Sequence, residues 1–289
     1  MRLRAARRDE AEAVLAVIVA RDVADVGRPD YTLQDVLDDW SMPGLDLERE
    51  VCVGEDDDGA LIGWADTDER GARVSVHPDH EGLGAGTLLR TAVEARTRER
   101  GHRMWQNVVS ANVAAIEHLR AAGYEPVQYY QRMRGALADV PAPPDAPVRR
   151  FDLDGEGPTL HALIESAFSE IEHNAPQSFA SWKAEVESGS EPAFRLALDD
   201  EHGLAAVAIG ERWEGGVGYV ARLAVAVRAR GRGYGRTLLL ALLDAFRDAG
   251  LTTAELSVAG TNAPATVLYE SAGMTPDFRA ERWELSRAK

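Results

Sequence analysis

Between positions 228 and 236 the chain reads Arg-Ala-Arg-Gly-Arg-Gly-Tyr-Gly-Arg, with glycines at 231, 233 and 235 and arginines at 228, 230, 232 and 236. A strand that runs into such glycines and then into a helix exposes several free backbone N–H groups beside the positive end of the helix dipole. Phosphate groups bind such places. The dinucleotide fingerprint needs a glycine where Arg236 stands, and the P-loop needs Lys followed by Ser or Thr, so neither motif is present. Taken alone, the three alternate glycines also fit a structural turn.

The segment is not unique in the chain. Val74–Gly86 reappears 149 positions later as Leu223–Gly235, with Gly82, Gly84 and Gly86 falling on Gly231, Gly233 and Gly235. Asn112–Tyr124 recurs 150 positions later as Asn262–Met274. Matches at nearly one offset indicate a duplicated domain. Between the copies, Pro141, Pro143, Pro144 and Pro147 forbid a regular ladder or helix and favour an extended connector. The sequence therefore divides near residue 145 into an N-terminal domain at 1–140 and a C-terminal domain at 146–289.

Each half presents the same elements in the same order. An opening strand (the Leu3 region; Val148–Leu153) precedes a helix (Glu10–Ala20; Thr159–Phe168) and a second helical stretch (Leu33–Trp40; Phe179–Val186). Strands follow at Glu50–Val53 and Leu61–Trp64, and at Phe194–Leu198 and Leu204–Ile209, broken by the Asp58-Gly59 and His202-Gly203 turns. The glycine segment then leads from a further strand into a helix. Its apolar face is Leu238, Leu239, Leu242, Leu243 and Phe246 in the second copy, with Gly250 placed as a left-handed cap. Another strand (Met104–Val109; Ala254–Val258), the second repeated helix and a final strand complete each copy. The expected fold class is mixed α/β (α+β), twice over.

Val225, the run Arg230-Gly231-Arg232-Gly233-Tyr234-Gly235, then Asn262, Ala265, Leu268-Tyr269-Glu270 and Ala272-Gly273-Met274 together resemble the acetyl-CoA signature of the GNAT superfamily of N-acetyltransferases. The resemblance spans most of each half. It implies two tandem GNAT folds, each a mostly antiparallel sheet flanked by helices and splayed between its fourth and fifth strands to admit the pantetheine arm. Val227 departs from the proline common in the family, which Pro78 keeps in the first copy.

The resemblance also implies roles. Backbone groups of Leu223, Ala224 and Val225 would hold the pantetheine and the acetyl carbonyl, with the Val225 N–H polarising the carbonyl. Amides from Arg230 through Gly231, Arg232, Gly233, Tyr234 and Gly235 to Arg236 would take the pyrophosphate. Asn262 would cap its helix and touch the coenzyme. Tyr269 would protonate the departing thiolate. The first copy has Leu119 at the matching place, and Asp79 and Glu81 where the second has arginines. Each such charge acts on a pyrophosphate by roughly a few kcal/mol before screening, so the C-terminal copy is expected to be catalytic and the N-terminal copy degenerate.

The reaction implied is direct acetyl transfer to the primary amine of a small molecule in a ternary complex, with acetyl-CoA as cosubstrate and no metal. No carboxylate occurs in Gly218–Arg222, where many members of the family carry one; Glu211, Glu214, Glu255 and His173 are the candidate bases, none assigned. The tandem layout and the loop Glu172–Pro176 before a Trp182-bearing helix are similar to the mycothiol synthases, which acetylate the cysteinyl amine of a sugar–inositol conjugate. A noncatalytic acetyl-CoA sensor or interaction module and a protein N-acetyltransferase are the alternatives.

Composition bounds the partners. The net charge of −16 disfavours nucleic acid and anionic membranes, so an anionic ligand needs a local cationic patch. Cys52 is the only cysteine, which rules out an intrachain disulfide and fits a reducing, cytoplasmic setting. Asp9, Glu10 and Glu12 mark the first apolar stretch as an amphipathic helix rather than a secretion signal. A monomer or homodimer is expected, and the arginine- and alanine-rich, lysine-poor composition suggests a GC-rich bacterial source.

Overall fold

The structure is a computed structural model that describes residues 1–42, 44–68, 71–101, 104–171 and 176–285. The first half holds β1 (Arg2–Ala5), α1 (Ala11–Val26), α2 (Leu33–Asp39), α3 (Leu47–Glu50), β2 (Val51–Glu55), β3 (Leu61–Asp68), β4 (Gly71–Val76), α4 (Ala85–Glu99), β5 (Trp105–Val109), α5 (Val113–Ala121) and β6 (Tyr124–Ala136). The second holds β7 (Val148–Arg150), α6 (Leu153–Phe168), α7 (Phe179–Gly189), β8 (Arg195–Asp200), β9 (Gly203–Trp213), β10 (Val217–Val225), α8 (Tyr234–Asp248), β11 (Thr253–Ala259), α9 (Ala263–Ser271) and β12 (Thr275–Leu285).

These elements form two compact units, Met1–Tyr129 with Phe278–Lys289, and Tyr130–Asp277. In the first, the strands run β1-β2-β3-β4-β5-β12, antiparallel except for the parallel β4–β5 neighbours. In the second they run β7-β8-β9-β10-β11-β6, antiparallel except for β10–β11.

The last strand of each sequence repeat thus completes the other unit's sheet. Met133 of β6 is fully buried in the second unit's core, and Trp283 of β12 is buried in the first unit's core. Each exchanged strand covers the edge of β11 or β5, which would otherwise present unpaired backbone groups. The alternation in the sequence marks these segments as strands. Ladder hydrogen bonds carry no residue code, so it does not say which sheet they join.

The second unit's core is built around α8. Leu238, Leu239, Leu242, Leu243 and Phe246, the periodic residues, are all fully buried. Gly210 and Gly218 make room for the Phe246 ring: a Cβ on Gly210 would stand 2.4 Å from it, and one on Gly218 2.3 Å. Burying that ring contributes about 2–3 kcal/mol. Gly250 follows the C-cap of α8 at φ 80°, the left-handed position that the cap pattern requires.

Several elements run past their expected ends, α1 to Val26 instead of Ala20, β3 to Asp68 instead of Trp64 and β9 to Trp213 instead of Ile209. The opening strand of the second copy stops at Arg150, and α6 begins at Leu153 instead of Thr159. Gly155, Gly157 and Pro158 read as breakers. The Asp152 carboxylate accepts from the Asp154 and Gly155 amides and starts the helix ahead of them. Gly157 also brings α6 close to α7, with the Phe179 ring 3.2 Å from where a Cβ would lie.

Candidate active site

In the second unit, β10 and β11 pair only from Val217–Thr253 to Tyr219–Glu255. Beyond that point β10 continues along β9 to Val225, and β11 continues along β6 to Ala259. The sheet is therefore splayed between its fourth and fifth strands. The Ala226 amide donates to Ala205 O on β9 at 2.9 Å. Successive amides of a strand point to opposite edges, so the Leu223 and Val225 N–H groups face the open edge. A bulge at Ala221, between the Val220 and Arg222 pairings, marks where β10 changes register.

The glycine loop follows. Gly231 and Gly233 sit at φ 76° and 83°, left-handed values that favour glycine, and Gly233 caps α8. No amide from residue 231 to 236 donates a hydrogen bond to a described residue; Thr237 is the first to do so, to Gly233 O. Gly235 abuts the opening, its notional Cβ 3.4 Å from Val225 and 3.6 Å from Leu268 of α9. The strand end, the helix start and α9 therefore converge on one mouth.

The arginines of the loop differ in availability. Arg228 donates to both Asp200 oxygens, at 2.7 and 2.6 Å, and to the carbonyls of Gly203 and Leu204, and its hydrogen bonds hold the Asp200 carboxyl below its usual range. Arg230 pairs with Glu170 at 2.5 Å, and Arg232 lies 3.6 Å from Asp200. Arg236 is exposed and has no acidic partner among the described residues. Counting guanidinium groups in the sequence overstates the cationic surface, because the acids that tie them come from Glu170 and Asp200, far away in the chain.

Tyr269 lies on α9, almost wholly buried, and its hydroxyl makes no hydrogen bond to a described residue. Its oxygen is also not one of the sealed polar atoms, so it opens onto space. Burial, and secondarily the neighbouring Tyr219, push its pKa up to about 12. Asn262 caps α9 by accepting from the Ala265 amide at 3.2 Å.

A cross-strand row of polar residues occupies the face opposite α8. Glu211 of β9 stands opposite Tyr219 of β10, Glu255 of β11 beside it, and Arg134 of β6 opposite Glu255. Residues so registered share a face. Tyr219 stacks on Trp213 at 4.0 Å and 10°, with the Arg132 guanidinium 5.1 Å from the Trp213 ring and 5.2 Å from the Tyr219 ring. Glu255 is buried and ion-paired with Arg134 at 2.9 Å and Arg132 at 3.7 Å. Arg222 pairs with Glu185 of α7 at 2.8 Å.

Of the candidate bases, Glu211 accepts from Trp213 Nε1 at 3.1 Å, Glu214 is exposed in the β9–β10 turn, and Glu255 is committed to arginines. His173, with Glu172, Asn174 and Ala175, lies outside the described residues. Trp182 is a core residue of α7. Sequence reasoning missed Arg132, Trp213 and Tyr219. The available signal was the aromatic pair flanking the Gly215-Gly216 turn; nothing local marks Arg132, since β6 belongs to the other repeat.

The sequence profile of the Acetyltransferase (GNAT) family matches residues 17–124 and again 158–274. The chain belongs to that family. It is similar to the mycothiol acetyltransferase of Nocardiopsis dassonvillei, 30% identical over 253 residues, covering 75% of this chain and 76% of the relative. The mycothiol acetyltransferase of Streptomyces avermitilis is 30% identical over 285 residues, 91% of this chain and 88% of the relative. Among solved structures, a GCN5-related N-acetyltransferase from Sphaerobacter thermophilus superposes with a TM-score of 0.82 at 26% identity, over 100% of this chain and 96% of that one. The protein is thus an N-acetyltransferase with two tandem GNAT domains.

The first GNAT unit keeps the frame with different residues at its mouth. Here β4 and β5 pair only at Ala72–Gln106, and Gly82, Gly84 and Gly86 repeat the loop. At its mouth, Leu83, Leu88 and Val113 are exposed where the second unit has Arg232, Thr237 and Ala263. Leu119, in place of Tyr269, is buried and has no proton to give. No helix among the described residues is long and apolar enough to cross a membrane.

Proposed function

We propose that the protein transfers an acetyl group from acetyl-CoA to the primary amine of a small molecule, and that the second unit is the working site. The observation that carries this reading is an open strand edge where two outward amides, Leu223 and Val225, share a mouth with a tyrosine hydroxyl that has no hydrogen-bond partner among the described residues. The relatives' name, mycothiol acetyltransferase, supports a small-molecule acceptor.

The residues fit the coenzyme. Amides from residue 231 to 236 and the α8 dipole would hold the pyrophosphate, with Arg236 the guanidinium best able to reach it. Arg230 and Arg232 would join only by leaving Glu170 and Asp200. The pantetheine would lie along Leu223, Ala224 and Val225, and an amide of that edge would stabilise charge developing on the carbonyl oxygen. Asn262 would act by fixing α9. Tyr269, held neutral by its raised pKa, would give its proton to the departing sulfur. Direct attack by the amine within a ternary complex accounts for this set without a covalent enzyme intermediate.

The first unit's mouth, with Asp79, Glu81 and Leu83 in place of Arg228, Arg230 and Arg232, would bind the coenzyme weakly. Calorimetric titration should therefore find one tight acetyl-CoA site per chain, and thiol release from acetyl-CoA should depend on an added amine. No heat on titration, or no thiol released with any primary amine, would sink the proposal.

A further inference from the structure

A second hydroxyl stands at the parting of the strands, and the reaction just outlined does not use it. Tyr219 is the last β10 residue paired with β11, so its ring lies where the sheet opens. The stack on Trp213 and the Arg132 guanidinium above both rings fix its orientation. Its phenol oxygen makes no hydrogen bond to a described residue and is not a sealed atom. Carboxylates flank it in register, Glu211 on one side and Glu255 on the other. Tyr219 is also near enough to add to the upward push on the Tyr269 pKa, second to burial.

We propose that Tyr219 is the acceptor-side contact of this centre: its hydroxyl takes a hydrogen bond from the N–H of the incoming primary amine, and Arg132 is the positioning residue that holds its ring against Trp213. The proposal rests on the N-acetyltransferase reading above. A protonated amine entering this face meets two carboxylates in register with Tyr219, Glu211 on β9 and Glu255 on β11, the latter ion-paired with Arg132 and Arg134. Once neutral, the amine donates an N–H to the phenol oxygen, which leaves its lone pair free to face the thioester carbonyl. The N–C bond forms and the C–S bond breaks. The ammonium proton and the proton lost by nitrogen on acylation go to water, the proton gained by sulfur comes from Tyr269, which water reprotonates, and Tyr219 keeps its own.

Steady-state kinetics on the full chain test this with glucosamine, cysteamine, L-cysteine and L-lysine, using whichever is acetylated fastest. Tyr219→Phe keeps the stacked ring and should raise the acceptor KM by about tenfold, as for loss of one hydrogen bond to a substrate, with the acetyl-CoA Kd unchanged. Arg132→Met should raise the same KM, and Arg132→Lys should recover most of it by keeping a cation over the rings. An acceptor KM unmoved in Tyr219→Phe, or a loss of acetyl-CoA affinity of the same size, would overturn the assignment. A wild-type protein that binds acetyl-CoA but acetylates none of the amines would instead overturn the reading beneath it.

Discussion

Glu170, just past the end of α6, is ion-paired at 2.5 Å with Arg230 in the glycine loop of the second unit. The first unit carries the same bridge with its polarity reversed: Arg21 of α1 pairs with Glu81, and each residue lies 149 positions before its counterpart. Both units thus tie the loop to their first helix. Preservation of the bridge through an exchange of charges marks it as a brace for the loop, and it takes Arg230 away from any anion at the α8 start.

Releasing that brace should expose Arg230 to the coenzyme. Glu170→Gln keeps shape and removes the charge. A half-exposed pair of this kind is worth about 0–1 kcal/mol, so the Kd for coenzyme A should fall by up to about fivefold at low salt. The gain should fade at high salt. Calorimetry at the two salt levels measures both, and an unchanged or weaker affinity at low salt would show that Arg230 does not reach the phosphates.

Tyr269→Phe removes the proposed proton donor and leaves the ring in place. General-acid catalysis contributes about 10²–10⁴-fold, so kcat should fall within that range while the acetyl-CoA Kd holds. With its pKa pushed up to about 12, Tyr269 stays protonated through the ordinary alkaline range, and no fall in kcat near pH 10 should trace to it. A kcat within twofold of wild type would remove Tyr269 from the chemistry.

The same residue should shape alkaline stability. An unfolded tyrosine ionises near its ordinary value of 10, whereas buried Tyr269 holds its proton to about 12. The unfolded state therefore binds fewer protons than the folded state in that window, and stability falls as pH rises from 10 to 12. The loss attributable to Tyr269 is about 3 kcal/mol at most. Denaturant melts of wild type and Tyr269→Phe should differ progressively less in favour of wild type across pH 10–12; a constant difference would contradict the burial argument.

Gly218 next to Tyr219 is fixed by packing. Its notional Cβ stands 2.3 Å from the Phe246 ring, which already packs edge-on against Phe194 at 4.8 Å. Gly218→Ala should cost about 1–3 kcal/mol by overpacking. Adding Phe246→Leu to that variant should cost less than Phe246→Leu costs alone in the wild type, because the smaller side chain vacates the overlap. Urea melts of the two single variants and the double variant give the coupling, and simple additivity would show that the backbone absorbs the methyl elsewhere.

Much of this was legible in the sequence, for reasons that differ by residue. The glycines at 231, 233 and 235 declare a loop because only unusual backbone geometry repays them, and the 149-residue offset shows that the loop occurs twice. The leucine stripe of α8 declares its buried face by period alone. Arg228 and Arg230 looked free because their acidic partners, Asp200 and Glu170, are distant in the chain. The start of α6 was hidden because capping by Asp152 outweighs Gly155 and Pro158. Arg132 was invisible as a site residue because its place depends on strand pairing, which side-chain pattern does not encode.

That exchange of strands makes the last prediction the most direct probe of the fold. Trp283 is numbered within the second repeat, yet it is 1% exposed among Leu89, Val93, Leu119 and Tyr124 of the first unit. Met133, in the first repeat, is buried among Leu238, Leu242 and Leu256 of the second. Trp283→Ala should cost about 3–5 kcal/mol and Met133→Ala about 2–5 kcal/mol, each in the unit that receives the strand. Hydrogen exchange should therefore speed up at α4 and β5 in Trp283→Ala and at α8 and β11 in Met133→Ala, since local opening follows local stability. The reverse assignment, with each repeat loosening its own half, would mean that the strands are not exchanged.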